Sequence, residues 1–237
     1  MTLPLAGRTA LVTGASRGIG LATARALAAA GAGLTIVARD ARALDNLARE
    51  IAARAVPCDV ADGAALEHAL ADIAEHTGGA PDILVNNAGL FALARVEATT
   101  PEAFDAALDV NLVAPFRIMR AFLPVMRGRR RGDVVTIGSI ADHTTFPENA
   151  AYSASKHGVR ALHDVMRAEL RGCGVRVTLV SPGPVDTPLW DAIDPETREG
   201  CTPRSRMLRP EAVAAAVLYA VSQPPEVDVE LIRLSHS

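Results

Sequence analysis

Between residues 8 and 234 short apolar runs alternate with helical stretches, and that alternation leaves the chain few architectures. Arg8–Thr13 reads as a β-type run, glycine-rich residues follow, and Ile19–Ala30 carries the Ala and Leu of a buried helix. Gly31-Ala32-Gly33 ends that helix and Leu34–Ala38 is the second strand. A helix over Ala41–Ala52, a strand over Ala55–Val60, a helix over Ala64–His76 and a strand over Ile83–Asn86 continue the pattern. Pro101 opens a long helix to about Met126, closed by Gly128 through Gly132. A strand over Val134–Ser139 and a helix over Ala150–Arg171 come next. Val175–Val180, a helix from Pro210 to about Val221 and a strand over Val229–Leu234 complete it. Apolar strands spaced by such helices require crossover connections, so the expected fold is α/β: seven strands in a mostly parallel sheet with helices on both faces. No repeat, low-complexity tract or linker interrupts the pattern, and residues 1–237 are expected to form a single domain.

Several function classes are excluded at once. A net charge of −3 gives no electrostatic case for nucleic acid or an anionic membrane. Cys58, Cys173 and Cys201 are odd in number and far apart, which suits neither a disulfide framework nor a metal site. Six scattered histidines without paired spacing add no metal site either. No apolar run reaches membrane-spanning length and no signal peptide is evident, so the expectation is a soluble, cytoplasmic protein. Arg129-Arg130-Arg131 follows a helix end between glycines and is expected to be a solvated turn.

The first strand runs straight into Thr13-Gly14-Ala15-Ser16-Arg17-Gly18-Ile19-Gly20. Glycines at this junction allow a tight turn and a close approach of backbone to a pyrophosphate seated on the next helix's N-terminus. A P-loop is excluded, because no Gly-Lys-Ser/Thr ends the run. At the end of the second strand, where an acid would select NAD(H) through its ribose 2′-hydroxyl, Ala38 and Arg39 stand instead. Arg39 and Arg17 suit a 2′-phosphate, so NADP(H) is favoured over NAD(H); Asp40 is also near enough to reach a hydroxyl.

The densest chemistry lies in Tyr152-Ser153-Ala154-Ser155-Lys156. Residues four apart share a helix face, so a phenol and an ammonium stack there as an acid/base pair, the cation favouring phenolate. The chain has 23 Arg and a single Lys, and that Lys is Lys156. A compact ammonium holds ribose hydroxyls and takes part in proton transfer where a forked, permanently charged guanidinium does not.

Thr13–Gly20, Asn86-Asn87-Ala88-Gly89, Asn111, Ser139, Tyr152 with Lys156, and Pro182-Gly183 together resemble the short-chain dehydrogenase/reductase family, in the family's order and over nearly the whole chain. The resemblance implies a Rossmann-type doubly wound sheet forming one dinucleotide-binding domain. It implies an NADP(H)-dependent oxidoreductase that interconverts a carbonyl and a secondary alcohol on a small-molecule substrate. Its catalytic residues would be Asn111, Ser139, Tyr152 and Lys156. Ser139 would hydrogen-bond the substrate oxygen, Tyr152 would exchange its proton, and Lys156 would lower the Tyr152 pKa and hold the nicotinamide ribose. Asn111, a poor residue for a helix interior, would distort the long helix and order a water that feeds protons to the lysine. Cofactor contacts would come from Gly14, Ser16, Arg17, Gly18, Ile19 and Gly20, from Arg39, and from Asp59 and Val60 at the adenine. Asn87, Ala88 and Gly89, Tyr152 and Lys156, and Pro182, Gly183, Val185 and Thr187 would supply the rest. Asp59 has an alternative as a helix cap, and Asn86 and Asn87 are expected to be partly scaffold, with Asn86 also near the cofactor.

Pro188–Arg209 is expected to form a lid, with Leu189, Trp190, Ile193, Met207 and Leu208 as its apolar lining, and His143 to face the substrate cleft. The stripe Phe104, Leu108, Leu112, Phe116, Met119 and Phe122, with Val159, Leu162 and Met166, packs partly on the sheet. The resemblance implies that other faces of the same helices build a homodimer or homotetramer. The Val229–Leu234 strand lacks the Gly-rich ending of 3-oxoacyl-carrier-protein reductases. A regulator or scaffold that binds the cofactor without turnover is the alternative; such a protein would be expected to have lost one of the four catalytic residues.

Overall fold

A computed structural model describes residues 3–237. In chain order the elements are β1 (Thr9–Thr13), α1 (Gly18–Ala29), β2 (Gly33–Ala38), α2 (Ala41–Ile51) and β3 (Arg54–Pro57). Then come α3 (Gly63–His76), β4 (Ile83–Asn86), α4 (Pro101–Leu108), α5 (Ala114–Gly128), β5 (Gly132–Ile137) and α6 (Ala150–Leu170). The chain closes with β6 (Val175–Pro182), α7 (Pro210–Val221) and β7 (Leu231–Leu234). All seven strands are parallel, in the order β3-β2-β1-β4-β5-β6-β7. Leu11 of β1 sits between Thr35 of β2 and Leu84 of β4. The winding direction reverses at that point, and a crevice opens there beyond the carboxyl ends of the strands.

Strand periodicity divides the core in two. Ala10 and Val12 face a layer holding Leu27 of α1, Leu44 and Leu47 of α2, and Val213 and Val217 of α7. Leu11 faces the other way, towards Leu66 and Ile73 of α3, Ile118 and Phe122 of α5, and Met166 and Leu170 of α6. Successive side chains on a strand point to opposite faces, so a run without polar gaps is what a doubly covered sheet demands. No helix among the described residues is long and apolar enough to cross a membrane.

Buried ion pairs pin the amino edge of the sheet. Asp133 of β5 is ion-paired with Arg8 and, at 2.6 Å, with Arg176 of β6. Asp82 takes the Thr9 N–H at 2.9 Å and Arg131 at 2.7 Å, while Arg129 donates to the Ala80 carbonyl at 3.0 Å. The arginine turn is thus docked rather than simply solvated, because Asp82 is buried beside it and must be paired.

Several boundaries differ from the sequence reading. The third strand stops at Pro57, so Asp59 and Val60 lie beyond it, and β5 stops at Ile137, two residues before Ser139. The long helix is interrupted where the resemblance implied that Asn111 would distort it. A π turn over Asp109–Val113 separates α4 from α5, with Asn111 at its centre. Pro115 follows and has no N–H to send to the Asn111 carbonyl, so regular α-helical bonding fails there.

Candidate active site

A cavity of about 520 Å³ opens at the carboxyl edge, and Ser139, Tyr152 and Lys156 all line it. Three elements deliver them. Ser139 caps a 3₁₀ turn over Ile140–Asp142, its hydroxyl accepting the Ala141 N–H at 3.1 Å. Tyr152 and Lys156 sit one turn apart on α6, where Lys156 is buried and donates to the Ile137 carbonyl at 2.8 Å. Its Nζ lies 5.6 Å from the centroid of the Tyr152 ring.

Asn111 lines no part of that cavity but braces it. Its amide brackets Leu90, accepting the N–H at 2.8 Å and donating to the carbonyl at 2.9 Å. The same Nδ2 donates to Ser155 Oγ at 2.9 Å, and Ser155 donates to the Tyr152 carbonyl at 2.7 Å. The π turn, the exit of β4 and the first turn of α6 are thereby joined in one relay of hydrogen bonds.

Burial sets the ionisation of the pair. Lys156 is pushed down to about 8 by desolvation, against an opposing pull from the Asp142 carboxylate. Desolvation pushes Tyr152 above its ordinary value, the Ser139 hydroxyl beside it pulls the other way, and Asp142 pushes it up further. The expected lowering of Tyr152 by Lys156 is therefore not what the protein alone produces; burial of the phenol is the larger influence.

Asp142 was not among the expected residues. It is fully buried and accepts the Ser139 N–H at 3.3 Å, the Ser181 hydroxyl in a short bond, and Arg160 at 3.4 Å. His143 Nδ1 lies 2.7 Å from its other oxygen. Burial pushes the Asp142 carboxyl up, but the bonds from Ser181, His143 and Ser139 outweigh it and leave the carboxyl below the ordinary range. The spacing Ser139-x-x-Asp142 is a capping-box signature, which was the available signal. His143 is turned onto Asp142 and is not part of the cavity wall, contrary to the sequence reading.

The glycine loop fits a dinucleotide. Gly14 has φ +66°, and a Cβ there would come within 2.9 Å of the Ala88 backbone. Gly18 has φ +55° and lies against Thr187. Arg17 precedes α1 without a side-chain cap, so the first N–H groups of that helix face outward free of competition from an acid. Asn87 is scaffold: its Nδ2 donates to the Thr13 carbonyl at 2.8 Å, locking the loop to β4. Asn86 makes no such bond; both its polar atoms are buried without a protein partner. Ile19, Asn87 and Gly89 line the cavity together with Pro182, Gly183, Val185 and Thr187. The Gly183 N–H is held by the Leu234 carbonyl of β7 at 2.8 Å.

Ser16 and Arg17 lie within the glycine loop, Ala88 packs against its Gly14, and both Arg17 and Arg39 are exposed. Arg39 is only loosely paired with Asp59, at 3.8 Å, and Val60 is buried. Asp59 also accepts the Ala61 N–H at 3.0 Å. Asp40 caps α2 by accepting the Ala43 N–H at 3.0 Å, which commits it to the helix.

Of the expected lid lining, Leu189 and Trp190 reach the cavity. Ile193 does not, Met207 is buried away from it, and Leu208 packs on the core beside Pro184 and Asp186, which bond its backbone. Phe91, just past Asn-Asn-Ala-Gly, joins the wall unforeseen; its place at a carboxyl strand end was the only hint.

These couplings carry a sign. A carboxylate at 142 disfavours phenolate, so Asp142→Asn is expected to move the Tyr152 titration to lower pH. Tyrosinate absorbance reads this in a Tyr219→Phe background, since Tyr219 is the only other tyrosine. An unchanged titration would show that Asp142 is electrostatically silent at the phenol.

Comparison with known proteins agrees with this geometry. A family model described as short chain dehydrogenase matches residues 8–198. An uncharacterized oxidoreductase of Staphylococcus epidermidis is 31% identical over 229 residues, 96% of each chain. A metagenomic short-chain oxidoreductase solved in complex with NADP is 32% identical, with TM-score 0.84, over 99% of this chain and 100% of that one. An alcohol dehydrogenase from the archaeon Thermococcus sibiricus, complexed with 5-hydroxy-NADP, is 30% identical, with TM-score 0.82, over 97% and 96%.

Proposed function

Since the chain belongs to the short chain dehydrogenase family of oxidoreductases, we propose that it interconverts a carbonyl and a secondary alcohol with NADP(H), using Tyr152 as acid and base. One observation carries this reading: the phenol, the Ser139 hydroxyl and the Lys156 ammonium open onto the same cavity as Ile19 and the Pro182–Thr187 segment. Bound NADP(H) supplies or accepts the hydride. Ser139 donates a hydrogen bond to the substrate oxygen and holds it beside Tyr152. In reduction Tyr152 gives its proton to that oxygen, and a ketone, a hydride and a proton become an alcohol; in oxidation the phenolate takes the proton back. A phenol held neutral by burial is in the right state to donate. Lys156, poised near 8, binds the ribose hydroxyls and passes protons to Tyr152. Asn111 holds the turn that keeps Tyr152 in place.

Tyr152→Phe should keep the fold and cofactor binding yet lose at least about a hundredfold in kcat, the usual loss of a general acid. Steady-state rates with a ketone panel, beside a cofactor titration of the same variant, decide it. A variant retaining more than a tenth of the rate removes Tyr152 from the role. Cofactor binding with no turnover in the wild-type chain favours the regulator.

The preference for NADP(H) is supported by two exposed guanidinium groups, Arg17 and Arg39, at the glycine loop and the end of β2. Asp40 already serves as the cap of α2 through one carboxylate oxygen. Arg17→Ala with Arg39→Asp is expected to cut the ratio of kcat/KM for NADPH over NADH at least about tenfold, because charge-assisted bonds to a 2′-phosphate are lost and a repelling carboxylate is added. An unchanged ratio would dismiss the arginine clasp.

The segment 188–209 acts in this reading as the lid. It is tied down by Arg204, paired at 2.6 Å with both Asp186 and Asp191, and by the Arg198–Glu148 ion pair. The chain is further proposed to work as a homodimer or homotetramer through α4, α5 and α6. Met119, Phe122, Val159 and Met166 are spent on the core, whereas Phe116 and Val165 are about half exposed, at 48% and 53%. Light scattering at micromolar concentration should give a multiple of the 24.8 kDa chain mass; a monomer dismisses the interface.

A further inference from the structure

Aromatic side chains are scarce in this chain: five Phe, two Tyr and one Trp. Four of them, Phe91, Phe146, Tyr152 and Trp190, line the cavity at the carboxyl edge. Roughly an eighth of the residues thus carries half the aromatic rings, a concentration that core packing elsewhere in the chain does not call for.

Three of the rings form a continuous wall. Phe91 meets Tyr152 at a centroid distance of 4.8 Å and an interplanar angle of 69°, and Trp190 at 5.0 Å and 67°. Both contacts are edge-to-face, the arrangement favoured by the ring quadrupole, and both leave ring surface available to another π system. The indole is fixed from its far side as well, where Nε1 donates to the Val185 carbonyl at 3.1 Å. A wall held at both ends is already shaped for a ligand and loses little freedom on binding one.

The charges of the cavity point the same way. Lys156 donates to Ile137, and Arg198 is ion-paired with Glu148. Glu199, the remaining charged side chain of the lining, adds a carboxylate. An anionic substrate would find both cations engaged and an extra negative charge beside them. A polyhydroxylated one would set its hydroxyls against Leu93, Ile140 and Leu189.

We propose that the cavity takes a neutral ketone or secondary alcohol with an aromatic ring on the reacting carbon, seated against Phe91 and Trp190. The inference rests on the oxidoreductase reading above and names its substrate class. Phe91 touches Tyr152 directly, so a ring packed on that wall brings the adjacent carbon to the phenol.

Trp190 is the sole tryptophan, and it reports binding without any turnover. Wild-type protein is titrated with 1-phenylethanol, 1-cyclohexylethanol and lactate while the emission of Trp190 is followed. The phenyl alcohol should saturate, with an affinity at least about fivefold above that of the cyclohexyl alcohol, the scale of one good aromatic contact. Lactate should give no saturable change. In Phe91→Leu, which keeps an apolar wall but removes the ring, the discrimination should fall below about twofold. If that variant does not fold, the wild-type ratio decides. Turnover of the matching ketones with NADPH is measured alongside. Saturable binding of the phenyl alcohol without turnover of its ketone upholds the aromatic pocket and overturns the oxidoreductase reading. Equal affinity for phenyl and cyclohexyl alcohols, a preference for lactate, or no saturable response to the phenyl alcohol overturns the aromatic pocket, whatever the turnover.

Discussion

One buried ammonium governs the carboxyl edge of this molecule. Lys156 has given up water for a single carbonyl acceptor at the end of β5. Its displacement from 10.5 to about 8 costs folding about 3 kcal/mol at neutral pH, at about 1.4 kcal/mol per pH unit. The sign follows from linkage: the native state holds its proton less firmly than the unfolded chain, so this penalty fades as pH rises from 8 to 10.5. The apolar contacts of α6, through Val159, Met166 and Leu170, must offset it. Docking α6 closely enough to bury Lys156 is also what brings Tyr152 onto the cavity wall and Ser155 onto Asn111. The one lysine in a chain of 23 arginines stands at this buried position, where the compact ammonium meets the Ile137 carbonyl.

The two edges of the sheet handle charge in opposite ways. At the amino edge, buried Asp82 and Asp133 are matched by Arg8, Arg131 and Arg176 in direct ion pairs. At the carboxyl edge, Asp142 is paired partly with hydroxyl and backbone donors, and its residual charge acts on Tyr152 and Lys156. The first arrangement holds the strands in place; the second sets a carboxylate's charge behind the cavity wall. Gly138 is needed beside the Asp142–Ser181 pair, since a Cβ there would stand 2.5 Å from Asp142 Oδ2 and 2.9 Å from Ser181 Oγ.

Much of this was legible in the residues because it is local. Strand and helix periods gave the layers, and the glycine run between β1 and α1 marked the crevice. Tyr152 and Lys156 share a face by helical geometry alone. What was not legible depends on partners distant in the chain. Asp142 reads as an ordinary polar residue until β6 brings Ser181 against it, 39 positions later. Arg129 and Arg131 look solvated until Asp82, nearly fifty residues earlier, proves to be buried. The distortion at Asn111 was expected from the family resemblance, and the π turn bears it out, whereas the Phe91–Trp190 contact spans two loops with no periodicity of their own.

The bond from Gly183 to Leu234 sets an order in time. Gly183 is made some fifty residues before the strand that holds it, which at about 5–20 residues per second is a wait of a few seconds on the ribosome. Throughout that interval the outer edge of β6 is unpaired and the Gly183 N–H lacks its acceptor. Any ligand that needs this segment in place can stabilise only the finished sheet. The segment that lines this side of the cavity is therefore fixed by backbone pairing that forms last.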